Sequence, residues 1–460
     1  MNDHVELERT VAEHIANEGV SPPADAFYDE LITRAHQSGQ RPEWLALIRE
    51  RPMRTNSHLA VGSPTARVAA VLAATFLLAV ALAAAGVAGR QLLAADGAII
   101  VDQSGNGTTT TIAAAVEMAQ DGDTILVRPG TYVEAVVIDK DITLSGDGER
   151  DLIVIEAPVG GPVSNTGTMN GEFGNASYAV LLKDTESTVS GLTFRGESAR
   201  LHAKGGAPVL EDLLFEGVGT TAGRVYVPQA LIVTGRTRAT IRGNTLTDGG
   251  GIQVHDRSSP LVESNVLTGG PNIMGDFGPE TIVRGNSISH TPYGAVVVTT
   301  KTTAVIEDNV ISDVPTGIWV GGEGWVDDPH NGYDPFIRGN TISAVEGVGI
   351  EVALGALPTI EANVLTDTGI AIRIVGSDPR VADNELRDNG RGIRIAAGSP
   401  TLEGNTITGG TTGIALLDTD AAPSLTSNTV CDNETNVALS GGAQMPDTVG
   451  NDICEDGISG

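Results

Sequence analysis

The stretch IRGNTLTDGGGIQV, residues 241–254, sets an asparagine between two short apolar runs and follows it with glycine and a third. Close variants return as VRGNSISHTPYGAVV from Val283, IRGNTISAVEGVGIEV from Ile337 and LEGNTITGGTTGIAL from Leu402. The asparagine recurs at Asn244, Asn265, Asn286, Asn309, Asn340, Asn363, Asn384, Asn405 and Asn428, and Asn451 completes the series. Successive members lie 21, 21, 23, 31, 23, 21, 21, 23 and 23 residues apart. A period of that size with short strands in each unit marks a solenoid. Leucine-rich repeats share the period, but their fixed leucines and helical segment are missing. Instead the apolar residues alternate, with Ile393 and Ile395 inward around Arg394, and Leu402 inward beside Glu403. Parallel strands stacked ~4.8 Å apart would place each asparagine over the last, so that the side-chain amides bond along the stack as a ladder. The expected fold is all-β: a parallel solenoid of roughly a dozen coils over residues 98–455.

Composition agrees with many tight turns around a core of small aliphatics: 58 glycines, and aromatics at only 3% of 460 residues. Net charge is −30, most of it beyond Arg90. So acidic a surface repels nucleic acid, which is not expected as a partner. Cys431 and Cys454 are the only cysteines, which excludes cysteine-rich zinc sites.

Residues 68–89 carry no charge and a single polar side chain, Thr75. At ~1.5 Å per residue such a helix crosses one hydrocarbon core. Arg41, Arg49, Arg51, Arg54 and Arg67 precede it, whereas Arg90 alone follows before acids take over. The positive-inside rule then places residues 1–67 in the cytoplasm and the solenoid outside the cell or in the periplasm, on a single-pass anchor. Residues 1–67 read as short helical segments broken by SPPAD at 21–25, a cytoplasmic piece with room for a partner of its own. Residues 90–97 form a linker and 456–460 a tail.

The domain resembles right-handed parallel β-helices of the pectin-lyase-like class. Residues 101–148, VDQSGNGTTTTIAAAVEMAQDGDTILVRPGTYVEAVVIDKDITLSGDG, look like the opening of pectin methylesterases and related bacterial β-helix proteins. The resemblance implies that TIAAAVEMAQDGDTI supplies a short helix capping the open end, and that PGTYVE turns into the first coil. Later coils are similar to those of periplasmic β-helix proteins linked to copper delivery and of carbohydrate-active β-helices. It implies a groove for polysaccharide or another cell-surface polymer. The family's catalytic signatures are missing: Gly-His-Gly and Arg-Ile-Lys of polygalacturonases, and QDTL and DFIFG of the methylesterases. Asp256 beside Arg257 only faintly echoes a lyase site, so no catalytic residue is assigned.

Aligned on the asparagine, the third apolar run points one residue per coil outward: Ile232, Gln253, Val296, Trp319, Glu351, Arg373, Arg394 and Ala415, with His202 and His255 near the same face. Extra length at 157–177, 217–229 and 321–335 flanks this face, and long loops on a rigid scaffold are where function concentrates. The loop 321–335 brings Trp325, Asp327, Asp328, His330, Tyr333 and Asp334 beside Trp319. Aromatics with clustered carboxylates suit sugar stacking, general acid–base work or calcium, the one cofactor this loop admits. A packed loop with solvated acids is the plainer alternative, and a neutralising charge ladder is the plainer reading of Glu351, Arg373 and Arg394. His202, His255, His290 and His330 are not at ligand spacing, so no transition-metal site is expected. Three functions remain open: a polymer-binding surface protein, a polysaccharide lyase or hydrolase, and a structural or adhesive stalk. Finally, Cys431 and Cys454 each follow a ladder asparagine by three residues, which puts them in one register on consecutive coils and predicts a disulfide.

Overall fold

The computed structural model describes residues 97–165, 175–219, 229–270, 272–299, 302–321, 334–454 and 458–459. Each coil makes three short strands. Thr240–Arg242 lies on a first face, Thr245–Thr247 on a second and Gly251–Val254 on a third, and the chain then returns to the first face at Leu261–Glu263. Strands of the first face stack into a 14-stranded sheet, two coils more than the roughly dozen expected. Those of the other two faces join in one 26-stranded set, since Thr341–Ala353 and Val364–Val375 run unbroken through both. Every pairing along the solenoid is parallel. Among the described residues the antiparallel exception is the excursion hairpin Val163–Asn165 with Asn175–Ser177. The architecture is an all-β, right-handed parallel β-helix, the hand that parallel crossovers adopt.

Two sharp corners per coil explain the repeated motif. The residue before each ladder asparagine is left-handed: Gly243 at φ 61°, Gly285 at 59°, Gly339 at 64°, Gly404 at 64° and Gly450 at 83°, with Asp308 and Asp383 at 53–54° and Ser264, Ala362 and Ser427 at 54–56°. Glycine takes this conformation without strain, and aspartate tolerates it. A second left-handed corner follows the second face, at Asp248, Asp313, Asp388 and Asp432.

Register stacks like on like. Ile241, Val262, Val283, Ile306, Ile337, Ile360, Val381 and Leu402 form one inward column, each without solvent exposure. At the first corner each asparagine amide donates through Nδ2 to Oδ1 of the next, 2.9–3.0 Å away, from Asn244 to Asn451. The same Oδ1 accepts the preceding asparagine's backbone N–H, and Nδ2 also donates to a carbonyl of the coil behind, as Asn363 does to Ile337. Ladder amides thus have their hydrogen-bonding capacity filled inside a core that excludes water.

The N-terminal end is closed as the resemblance implies. The helix Ile112–Met118 buries Ile112, Ala115 and Val116 on the core, with Thr111 as its N-cap. Glu134 accepts from Ile112 and Ala113 N–H, and Lys140 donates to the carbonyls of Val116, Glu117 and Ala119, so side chains of the second and third coils clip both helix ends. No described helix is long and apolar enough to cross a membrane, and residues 68–89 lie outside the described residues.

At the other end Cys431 and Cys454 are disulfide-bonded, with Cα atoms 5.1 Å apart. Thr429 and Val430 pair with Asp452 and Ile453, so the two cysteines hold the shared register that their spacing predicts.

Candidate functional site

On the third face, Ile252 and Val254 enter the core, so Gln253 between them faces outward. Strand pairing extends that position into one column: His202, Ile232, Gln253, Met274, Val297, Trp319, Glu351, Arg373, Arg394 and Ala415. One member differs from the sequence alignment. Val296 is a core residue stacked on Ile273 and Ile318, and Val297 takes the outward place. The cause is Ala295, which stands where the next coils carry Gly317 and Gly349, so counting from Gly294 slips the register by one. Met274, absent from that alignment, fills the gap between Gln253 and Val297.

Outward does not mean wet here. Gln253 is 3% exposed, Trp319 9% and Arg394 2%, unlike the solvated outer positions expected of a plain charge ladder. Met274, Val297 and Trp319 pack together with Leu354 as an apolar cluster separate from the main core. Next along the column come Glu351 and Arg373, with side chains 13% and 18% exposed and an Nη1–Oε1 distance of 3.7 Å. Burial pushes the Glu351 carboxyl upward, against the pull of Arg373 and Arg394. An aromatic plate, a shielded carboxyl and two guanidiniums therefore follow one another along a single line.

The other half of the column is polar without being charged. His202 shares a 2.8 Å hydrogen bond through Nε2 with Thr234 Oγ1, and His255 lies just past Val254. Burial lowers His202 to about 3, helped by Lys204 and His255, and lowers His255 to about 4 against the opposing pull of Asp256. Both are neutral imidazoles at pH 7. In the unfolded chain they protonate near 6.5, so their contribution is intact above that pH. It is lost progressively as pH falls towards their folded values. We expect each to cost about 1 kcal/mol between pH 6.5 and 5.5. Urea unfolding of wild type and a His202→Gln, His255→Gln variant across that window reads the difference, and equal slopes would contradict it.

Of the residues assigned from sequence, Trp319, Gln253 and Glu351 share the column, and His255 adjoins it. Asp334 lies before the first-face strand Phe336–Arg338, its backbone N–H bonded to Thr302 O. Trp325, Asp327, Asp328, His330 and Tyr333 lie outside the described residues. Among the described residues, one group of His, Cys, Asp or Glu gathers at metal-binding distance, Cys431, Asp452 and Cys454, and its two sulfurs are bonded to each other.

A second charge pattern went unread in the sequence. On the first face, Glu211, Arg242, Glu263, Arg284, Glu307, Arg338 and Glu361 stack in alternation. Arg242 reaches Glu211 at 2.6 Å, Arg284 reaches Glu263 at 2.6 Å and Arg338 reaches Glu307 at 2.7 Å. These exposed pairs are each worth under ~1 kcal/mol. They neutralise the first face locally.

Comparison with known proteins agrees with this architecture. A family model described as "Right handed beta helix region" matches residues 229–372 and 280–430. No curated protein matches the chain. Among solved structures, the catalytic unit of a thermostable GH87 α-1,3-glucanase from Streptomyces thermodiastaticus strain HF3-3 is similar with a TM-score of 0.52 and 15% identity, over 80% of this chain and 70% of that one. A GH136 lacto-N-biosidase from Eubacterium ramulus gives 0.46 and 15%, over 66% of this chain, which spans 65% of its length. A family 28 exopolygalacturonase from Yersinia enterocolitica gives 0.39 and 11%, over 80% of each chain.

Proposed function

We propose that this chain is a membrane-anchored, extracytoplasmic β-helix protein that binds a polysaccharide, or another cell-surface polymer, along its third face. The observation that carries the reading is Trp319, held in an outward apolar cluster directly beside Glu351, with Arg373 next along the column. A flat aromatic next to fixed polar groups suits a sugar, which offers an apolar ring face and hydroxyl edges. The shared fold of a glucanase supports a carbohydrate partner. The anchor rests on the uncharged run at 68–89 and the arginines before it; residues 1–67 would then face the cytoplasm and be free to meet a partner there.

Trp319→Ala should weaken glycan binding at least tenfold, about 1.4 kcal/mol, without unfolding the β-helix, although loss of its packing in the apolar cluster lowers the thermal midpoint. Calorimetry against the best ligand from a glycan array, with and without calcium, measures it. Unchanged affinity would leave Trp319 a packing residue only.

Glu351 favours a second reading, a lyase or hydrolase of the same fold. A shielded carboxyl pushed towards its protonated form is suited to general acid work. Assays for new reducing ends and unsaturated products separate the two readings.

A further inference from the structure

We infer that the N-terminal half of the third face holds a subsite for an uncharged sugar unit, formed by His202, Gln253 and Asn272. The inference rests on the polysaccharide reading above and specifies which chemistry this stretch of the face selects.

His202 and Gln253 occupy the outward column two coils apart, with Ile232 between them. Asn272 sits on the next coil, two residues before Met274 and therefore on the same side of its strand. From His202 to Asn272 is three coil steps, roughly 14 Å at ~4.8 Å each. The three side chains are 1%, 3% and 0% exposed. Each nonetheless keeps a polar atom without a partner: His202 Nδ1, Gln253 Nε2 and Asn272 Oδ1.

The rest of each hydrogen-bonding group shows that this is arrangement rather than looseness. Asn272 Nδ2 donates to Gly294 O at 3.3 Å, and His202 Nε2 is engaged with Thr234. In His202 and Asn272 one end of the group is held and the other is left open. The ladder at the first corner shows what a structural asparagine looks like in this same protein, with both ends of the amide filled on successive coils. Buried polar atoms that serve only the fold find partners. Three on one side of one face, within three coils, do not fit that role.

Their chemistry selects the ligand. Gln253 Nε2 needs an acceptor, Asn272 Oδ1 needs a donor, and His202 Nδ1 takes either according to its tautomer. A hydroxyl group donates and accepts, so a polyhydroxylated ring can meet all three. A carboxylate or phosphate only accepts; it would leave Asn272 unsatisfied. Nor would it meet a counter-charge, because burial keeps the His202 imidazole neutral. Ile232 and Met274 flank Gln253 in the column, so its surroundings along the stack are apolar.

The test uses the full-length protein in detergent micelles. A glycan array carrying neutral and uronate oligosaccharides is screened first, and calorimetry follows with the best neutral ligand and with tetragalacturonate. A neutral oligosaccharide should bind best. Gln253→Met and Asn272→Leu should each weaken it at least tenfold. The thermal midpoint of Gln253→Met should hold or rise, because an apolar group of similar shape replaces an unpaired buried polar atom, whereas Asn272→Leu also loses the bond to Gly294 O and should lower it. A fall in midpoint in Gln253→Met would make that group structural and overturn the subsite. Unchanged affinity in both variants, with loss in Trp319→Ala, would overturn the subsite and leave the polysaccharide reading standing. Preference for tetragalacturonate would overturn the uncharged class. No binding anywhere on the array would overturn both readings.

Discussion

Asn363→Ala should destabilise the β-helix by roughly 3–5 kcal/mol, among the larger effects a single substitution can have. Asn363 has no solvent exposure, and its amide joins three coils. Nδ2 donates to Asn384 Oδ1 at 2.9 Å and to Ile337 O at 2.9 Å, and Oδ1 accepts the Asn340 backbone N–H at 3.0 Å and Asn340 Nδ2 at 2.9 Å. Alanine removes these four bonds and a fifth, from Nδ2 to Glu361 O at 3.1 Å. The Asn340 N–H and the Ile337 carbonyl would be stranded in a water-free core, at about 1–3 kcal/mol for each orphaned group. Leucine fills the corresponding place one coil before the ladder, at Leu213, whose N–H already bonds Asn244 Oδ1. At 363 leucine would restore volume but not the bonds, so Asn363→Leu should recover only part of the loss. Urea midpoints of the two variants measure both effects, and a cost under about 1 kcal/mol for alanine would mean the ladder is incidental to stability.

Removing the terminal clip should be nearly as costly. Cys431 and Cys454 close a loop of 23 residues, and the loop-entropy model assigns such a bridge on the order of 3 kcal/mol. The expected result for Cys431→Ser with Cys454→Ser is faster amide exchange confined to the last coil, where Cys454 N–H bonds Val430 O at 3.2 Å, with the coils before Asn405 unaffected. A bridge in the protein as isolated would agree with the extracytoplasmic placement proposed above, because disulfides persist in oxidising compartments. Thiol titration of the unreduced, denatured chain should find no reactive sulfur. Two reactive thiols per chain would overturn both the clip and that argument.

These features were legible because side-chain type and period act together. An asparagine that recurs near every 22 residues beside alternating aliphatics can be satisfied in few ways other than a stack, and cysteines three residues after two successive asparagines must meet. The cap helix was legible through its likeness to known openings. The candidate site was read less well, for identifiable reasons. Ala295 stands where the next coils carry glycine, so a count anchored on Gly294 put the core residue Val296 in the outward place. Met274 escaped since its coil lacks the Gly-Ile-x-Val pattern. The shielding of Gln253, Trp319 and Arg394 depends on tertiary cover that alternation does not encode. The first-face ladder of Glu211, Arg242 and Glu263 alternates over two coils, so comparing one coil with the next conceals its regularity.

The amide ladder runs one way, and that has a consequence for how such a molecule changes size. Its start is fixed by Leu213 and its finish by Asn451, whose Nδ2 ends on Leu425 O and on carbonyls of its own turn. Interior rungs repeat the same link, so they are interchangeable modules. Duplicating or excising the 21-residue step from Asn363 to Asn384 would leave every amide with a neighbour on each side. Only the terminators are unique, and they would be untouched. A coil gained or lost would change the third face by ~4.8 Å. The length of that face, and with it the reach of the proposed polymer site, can therefore be adjusted by gene duplication in whole-coil steps, independently of the parts that close the ends.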